Sequence, residues 1–173
     1  MRIMNNSFNE IMSTLEKYDN ILVAGHRNPD GDCIGATLAL GLYLNDKGKK
    51  VSLYIKDMPP EYKILKGMHL FTNTPNENYD LVVIVDCADD TRFEIKTQVT
   101  NAKETISIDH HVNNPNFATY NYVDETASST CEIIYEMFEE ANVNVTKEIA
   151  EAIYTGIISD TGLYQNRNTT AKT

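Results

Sequence analysis

The sequence predicts an α/β fold, with a mostly parallel sheet flanked by helices, and two observations support this prediction. Short apolar runs alternate along the chain with segments of helical periodicity, as in successive strand–helix–strand units. The run at residues 81–85 is apolar at every position, which is typical of a strand buried on both faces of a parallel sheet. At 173 residues the chain has the length of a single domain, and we predict one domain over residues 1–173.

The first third of the chain contains a helix, a strand and a second helix. Ser7 and Glu10 form a capping box, and the apolar residues that follow have helical spacing. Residues 21–24 are a short apolar run and therefore a predicted buried strand. Residues 34–47 are the next predicted helix, which Gly48 would end in a left-handed conformation.

Two further strands and a short helix complete the predicted sheet. Residues 51–55 form a strand, and Pro59–Pro60 opens a short helix that should stop at Gly67. After the apolar strand at residues 81–85, residues 105–108 form the last predicted strand.

The C-terminal third is predicted to be helical. One helix covers residues 128–140, and a second covers residues 146–159 with Thr146 as its N-cap. Residues 113–116 are a predicted turn, and the polar residues 168–173 are expected to be unstructured.

Composition narrows the classes of partner and the compartment. A net charge of -10 leaves no broad basic surface for long duplex nucleic acid. Cys33, Cys87 and Cys131 are odd in number and contain no C-x-x-C pair, which argues against disulfides and structural zinc and favours a reducing, cytoplasmic setting. No apolar run approaches the roughly 20 residues that cross a bilayer, and the N-terminus lacks an apolar signal core, so we expect no membrane association.

Acidic motifs containing three of the four histidines follow the predicted strands. Ligands of open parallel sheets bind beyond the carboxyl ends of the strands, so motifs after different strands should meet at one edge. The residues that follow predicted strands are His26, Asp30, Asp32, Asp86, Asp109, His110 and His111, and Asp160 joins them from the end of the last predicted helix.

Carboxylates gathered in one crevice repel each other unless cations lie between them. Imidazoles with several carboxylates suit manganese or magnesium better than metals that prefer thiols. Two divalent cations close together can activate water and neutralise oxygens at phosphorus, so the pattern predicts a two-metal site for a phosphoryl substrate. An unliganded His111 could bind a phosphate oxygen or give a proton to the leaving group.

Several of these residues also have simpler interpretations. The first motif could be a helix N-terminal loop with capping aspartates, in which Pro29 makes Asn28 extended and Gly31 permits a tight reversal. Residues 128–130 should begin a helix, although their free amides could instead receive a phosphate. Cys87 is interpreted as a small buried residue rather than a ligand.

The motifs together resemble the DHH phosphoesterase superfamily, which takes its name from the triplet present here as Asp109-His110-His111. The chain looks most like the bacterial branch of oligoribonuclease/pAp phosphatases (nanoRNases). The resemblance runs from Ile21 to the end, through the segments 25–32, 108–111 and 156–162 and the strand that leads to Asp86.

The resemblance implies a role for each residue. One metal would be held by His26 and Asp30, and the other by Asp32, His110 and Asp160, with Asp86 bridging the two. His111 would lie near the substrate, and Asp109 would orient the histidines. The implied cofactors are two divalent ions, Mn²⁺ with Mg²⁺ as the alternative. The implied substrates are short RNA oligonucleotides, cleaved to mononucleotides, and 3′-phosphoadenosine 5′-phosphate.

Two rival functions and one departure from the family remain. A family II inorganic pyrophosphatase shares the metal architecture, although Gly31 and the ending Asp160-Thr161-Gly162 look more like the nuclease branch. A nucleotide-binding module without turnover is the second rival. The family normally carries a second, substrate-binding domain that has no counterpart here, so we expect a fragment with the catalytic half and low activity alone. A homodimer is one option for its assembly.

Overall fold

The computed structural model describes residues 5–173 and contains a five-stranded sheet in which all neighbouring strands are parallel. The strands are β1 (Asn20–Ala24), β2 (Lys50–Tyr54), β3 (Leu81–Val85), β4 (Glu104–Asp109) and β5 (Tyr120–Val123). They lie in the order β2-β1-β3-β4-β5. The predicted α/β fold with a parallel sheet is confirmed, while residues 1–4 of the predicted domain lie outside the described residues.

Within residues 5–173, five α-helices and two 3₁₀ turns accompany the strands. The helices are α1 (Phe8–Lys17), α2 (Gly31–Asp46), α3 (Lys96–Asn101), α4 (Thr130–Glu140) and α5 (Lys147–Asp160), and the 3₁₀ turns are Pro60–Ile64 and Met68–Leu70. The predicted capping box of α1 and the Thr146 cap of α5 are both present. Within residues 5–173, no helix combines the length and the apolar character that a membrane span requires.

The sheet is buried on both faces, as its apolar strands predicted. Along β3, Val83 faces a large core that α1, α2, α4 and α5 cover, whereas Val82 faces a smaller core that includes Phe93 and Ile95. Val99 of α3 packs against the smaller core. The layered arrangement leaves the carboxyl ends of the strands as the open edge where loops collect.

A close contact between α2 and α5 fixes the position of α5 relative to α2. A side chain at Gly35 would overlap the backbone carbonyl of Ala152, so glycine allows the two backbones to approach. A Cβ at Gly31 would lie 2.6 Å from the Cβ of Ser159. The N-terminus of α2 therefore lies beside the C-terminal end of α5, which ends at Asp160.

Two elements were not predicted, and both have weak sequence signals. β5 carries the polar Asn121, whose side chain is buried. Its Oδ1 accepts a hydrogen bond from the backbone amide of Ala118, and its Nδ2 donates one to the carbonyl oxygen of Ala118. The side chains of Asn5 and Asn6 bond the backbone of this edge strand. The other missed element, α3, is six residues long and has no side-chain cap.

Three local predictions were wrong. Asn28 is left-handed, with φ 56°, rather than extended, since asparagine tolerates this region well. Gly31 is the first residue of α2 and makes space for Ser159 rather than a chain reversal. The helix opened by Pro60 is a 3₁₀ turn that ends at Ile64, and Gly67, with φ 97°, precedes a second such turn. Gly48 does end α2 in the left-handed region, with φ 76°.

Candidate metal centre

The predicted acidic motifs meet at one edge of the sheet. β1, β3 and β4 are neighbours in the sheet, and the three motifs that follow or end these strands start at His26, Asp86 and Asp109. Asp32 enters the same place from the first turn of α2, and Asp160 enters it from the last turn of α5.

Asp86 lies at the centre of this group. Its side chain is buried, and its two oxygens face different partners. Oδ2 lies 3.3 Å from Nε2 of His26, whereas Oδ1 lies 3.6 Å from Nε2 of His110 and 3.7 Å from Nδ1 of His111. The backbone of Asp86 is left-handed, with φ 53°, and such unusual conformations concentrate at functional sites.

The ring of His26 has one nitrogen anchored and the other directed at Asp86. Nδ1 donates a hydrogen bond to the carbonyl oxygen of Arg27, at 2.7 Å. Nε2 is therefore the nitrogen that faces the carboxylate of Asp86. Burial alone would lower the pKa of His26, but the bonds to Asp86 and Arg27 outweigh it and raise the pKa. The anchored ring is the orientation in which a histidine ligates a metal through Nε2.

His110 lies among three carboxylates. Its Nε2 is 3.2 Å from Oδ2 of Asp160 and 3.9 Å from Oδ2 of Asp32, in addition to its contact with Asp86. Burial opposes protonation, but the hydrogen bond to Asp160 and the charges of Asp32 and Asp86 raise the pKa of His110 to about 9. A protonated His110 therefore supplies the positive charge that these carboxylates require when no cation is bound.

The carboxylate of Asp32 is bound by the N-terminus of α4. Oδ2 accepts the Thr130 amide at 2.6 Å, and Oδ1 accepts the Cys131 amide at 2.9 Å. Helix N-termini favour anions in this way. Of the amides of residues 128–130, that of Thr130 is therefore already bound to Asp32 and that of Ser128 to Glu132, which leaves neither free for a phosphate. Burial and the charges of Asp86 and Asp160 raise the pKa of Asp32 well above its ordinary value.

Asp109 is hydrogen-bonded to both of the histidines that follow it. Its Oδ1 accepts the His110 backbone amide at 2.9 Å and Nδ1 of His111 at 2.7 Å, and its Oδ2 accepts Nδ2 of Asn114 at 2.8 Å. The bond to Asp109 outweighs burial and raises the pKa of His111. Because Nδ1 is engaged, Nε2 is the nitrogen of His111 that remains for a ligand.

Asp30 caps α2 at the rim of the site. Its Oδ1 accepts the backbone amides of Asp32 and Cys33 at 3.1 and 3.0 Å, so the capping interpretation of this aspartate is correct. Among residues 5–173, Asp30 belongs to no group of three or more His, Cys, Asp or Glu residues whose ligand atoms all lie within 4.8 Å of one another. Its predicted role as a metal ligand stays a prediction.

The donor atoms fit divalent cations. Among residues 5–173, three groups have ligand atoms within 4.8 Å of one another: His26 with Cys33 and Asp86, Asp86 with His110 and His111, and Asp32 with His110 and Asp160. Apart from the thiol, every donor is an imidazole nitrogen or a carboxylate oxygen, the ligand types that suit Mn²⁺. Asp86 and His110 each occur in two groups, so the groups form one continuous centre.

The roles that three further residues play in the centre were not predicted from the sequence. Thr130 donates its hydroxyl to Oδ1 of Asp86 at 3.1 Å, Asn114 holds Asp109, and Cys33 faces His26 and Asp86. Cys33 has the one available signal, since it directly follows Asp32, whereas the other two lie outside the acidic motifs. Cys87 is buried as predicted, and all three cysteines are free.

Comparison with known proteins gives a family match over most of the chain. Residues 20–157 match the family described as DHH family, N-terminal domain. The bifunctional oligoribonuclease and PAP phosphatase NrnA of Bacillus subtilis is 32% identical over 169 residues, which cover 95% of this chain and 53% of that protein. The chain thus spans about half the length of the curated relatives it matches.

Two further similarities concern a second activity and the fold. A probable manganese-dependent inorganic pyrophosphatase of Enterococcus faecalis is 31% identical over 159 residues, covering 84% of this chain and 49% of that protein. The crystal structure of an exopolyphosphatase-related protein from Bacteroides fragilis superposes with a TM-score of 0.84 at 22% identity, covering 95% of this chain and 53% of that one. The second similarity supports the fold.

Proposed function

The chain belongs to the DHH family, and on this premise we propose that it is a manganese-dependent phosphoesterase with two metal positions. Its proposed substrates are short RNA oligonucleotides, which it hydrolyses to mononucleotides, and 3′-phosphoadenosine 5′-phosphate, from which it removes the 3′-phosphate. Either reaction or both would take place in the single catalytic domain of residues 1–173. One observation carries the proposal: the two carboxylate oxygens of Asp86 face different histidines, His26 on one side and His110 on the other.

The proposed ligands divide at Asp86. His26 and Asp30 would hold one cation, Asp32, His110 and Asp160 would hold the other, and Asp86 would contact both. Manganese is supported by the similarity to a probable manganese-dependent pyrophosphatase and by the donor types. When bound, the two cations would supply an activated water and neutralise charge on the phosphoryl oxygens.

His111 is the residue we assign to the substrate. Its side chain is 34% exposed, whereas that of His110 is 15% exposed, so it is the more accessible of the two. The bond to Asp109 fixes the ring and raises the pKa of His111, which favours the imidazolium form. In that form Nε2 also carries a proton, which can bind a phosphate oxygen or pass to the leaving oxygen. Asp109 acts through His111 and is a positioning residue.

The proposed setting follows from charge and cysteine chemistry. A net charge of -10 favours a short substrate held at the metal centre over a long duplex. Three free, buried cysteines agree with a reducing compartment, for which we propose the cytoplasm. A homodimer is the assembly to be tested by measuring the mass in solution.

The direct test is hydrolysis by the purified protein in the presence and absence of Mn²⁺. We expect mononucleotides from RNA two to five residues long, phosphate from 3′-phosphoadenosine 5′-phosphate, and no rapid hydrolysis of pyrophosphate. His111→Ala should lower kcat by roughly 10²–10⁴-fold, the usual contribution of an acid–base group. His69→Ala is the matched control, because His69 is exposed and lies in the second 3₁₀ turn outside the centre.

Two other outcomes would support the alternative functions, a pyrophosphatase or a binding module. Rapid pyrophosphate hydrolysis without RNA cleavage would make the protein a pyrophosphatase, the activity named for the Enterococcus relative. Binding of Mn²⁺ and nucleotide without turnover by a full-length version of the protein would make it a binding module.

A further inference from the structure

The thiol of Cys33 lies inside the candidate centre. Cys33 is in the first turn of α2 and has no exposed surface. Its Sγ, Nε2 of His26 and an oxygen of Asp86 belong to one group of converging donors. A side chain at Gly25 would overlap this sulfur, so the glycine at the end of β1 leaves the space that the thiol occupies.

The polar partners of this sulfur are weak. Sγ lies 3.9 Å from the carbonyl oxygen of His26, which is a long contact even for a thiol. The other two members of the group are close together, since Nε2 of His26 lies 3.3 Å from Oδ2 of Asp86. Two ligands at about 2.1 Å from one tetrahedral cation are roughly 3.4 Å apart, so these two atoms already have the spacing of a shared metal.

We propose that Cys33 is a metal ligand, and that its thiolate, with His26 and Asp86, binds a thiophilic divalent cation such as Zn²⁺ or Cd²⁺ at the first metal position. This inference rests on the proposed function, because it adds a ligand and a class of cation to the same centre. On binding, the thiol proton passes to solvent and a sulfur–metal bond forms. Mn²⁺, a harder ion, would be held at this position by nitrogen and oxygen donors.

It follows that the two metal positions of the centre should prefer different cations. Soft thiolate ligands select zinc-like ions, whereas imidazole and carboxylate donors accept manganese. The His110 side of the centre offers nitrogen and oxygen donors, so a thiophilic ion should discriminate between the two positions. Zinc or cadmium would then displace manganese from the Cys33 side first.

Cys131 provides a matched control within the same protein. It is also fully buried, and its Sγ lies 3.7 Å from the carbonyl oxygen of Asp32, a contact like that of Cys33 with His26. Within residues 5–173, however, Cys131 belongs to no group of converging metal donors. A difference between variants at these two positions therefore reports ligation rather than the loss of a buried thiol.

The test is a titration of the metal-free protein with Cd²⁺, followed by the ultraviolet charge-transfer band of a sulfur–cadmium bond. We expect the band in the native protein and in Cys131→Ser, and its loss in Cys33→Ser. Cys33→Ala is the second variant, in case the serine hydroxyl disturbs the buried position. Circular dichroism establishes that each variant is folded.

Two results would overturn the assignment: a native protein that binds Cd²⁺ without the band, or a band that persists in both Cys33 variants. Mn²⁺ binding measured in parallel by electron paramagnetic resonance separates this failure from that of the proposed function. Bound Mn²⁺ with no sulfur–cadmium band refutes only the role of Cys33. Binding of neither ion refutes both proposals.

Discussion

The backbone amide of Thr130 donates a 2.6 Å hydrogen bond to Oδ2 of Asp32, which joins the N-terminus of α4 to the first turn of α2. The hydroxyl of the same residue donates to Oδ1 of Asp86 at 3.1 Å. Thr130 is fully buried. One residue thus holds two proposed ligands that come from different elements of the fold.

Replacing Thr130 by valine should weaken Mn²⁺ binding roughly 10–100-fold, the range found when residues that orient metal ligands are changed. Valine preserves the shape and the amide bond to Asp32 but removes the hydroxyl that holds Asp86. The measurement is calorimetric titration of Mn²⁺. Thr130→Ser keeps the hydroxyl and should retain most of the affinity, and equal losses in both variants would contradict the hydroxyl's role.

The difference between Thr130 and Asp86 shows what the sequence can and cannot reveal about the site. Asp86 follows an apolar strand, and parallel strands place their carboxyl ends at one edge, so its meeting with His26 and His110 was predictable. Thr130 reaches Asp32 across 98 residues of sequence through the packing of α4 against α2. No local periodicity encodes that contact.

The same distinction applies to the fold. The strand at residues 81–85 was predictable because every residue in it is apolar, and all five are buried in the structure. β5 instead depends on hydrogen bonds that the side chain of Asn121 makes with Ala118 and its backbone amide makes with Asn6. The conformation of Asn28 is likewise set by the folded loop, which overrides the preference that Pro29 imposes on the residue before it.

A second prediction concerns the contact between α5 and Asp32. A Cβ at Gly156 would lie 2.7 Å from Oδ1 of Asp32 and would overlap Sγ of Cys131. Gly156→Ala should therefore destabilise the fold by roughly 1–3 kcal/mol, the usual cost of overpacking a core. Urea unfolding of the metal-free protein measures this loss.

The sulfur contact can be separated from the carboxylate contact. Cys131→Ala removes Sγ, so Gly156→Ala should cost less stability in a Cys131→Ala background than in the native protein. The clash with Asp32 remains in that variant. Because Asp32 is a proposed metal ligand, we expect both Gly156→Ala variants to bind Mn²⁺ more weakly than the native protein. Full recovery of both properties would show that only the sulfur contact matters.

A third prediction is the pH dependence of the metal-free fold. The carboxylates around His110 raise its pKa to about 9 in the folded protein, against an ordinary value of 6.5. A raised histidine pKa stabilises the fold fully below the unfolded value, and this contribution is lost as the pH rises through the folded value. The metal-free protein should therefore become less stable to urea between about pH 6.5 and pH 9.

His110→Gln tests this assignment, because glutamine keeps a polar side chain but cannot carry the charge. Its stability should decrease less over the same pH range than that of the native protein. Identical pH profiles in chelator would show that another group controls the transition.

The final prediction concerns the number of metals. Asp86→Asn should abolish binding at both positions, because an amide lacks the negative charge that two cations would share. Asparagine is preferable to alanine here, since it tolerates the left-handed backbone of this residue, with φ 53°, and should preserve the fold. Asp160→Asn, which changes a residue on the His110 side only, should lose one bound Mn²⁺ and keep the other. Metal analysis after gel filtration gives the stoichiometry of each variant, and an unchanged manganese content in Asp86→Asn would remove Asp86 from its bridging role.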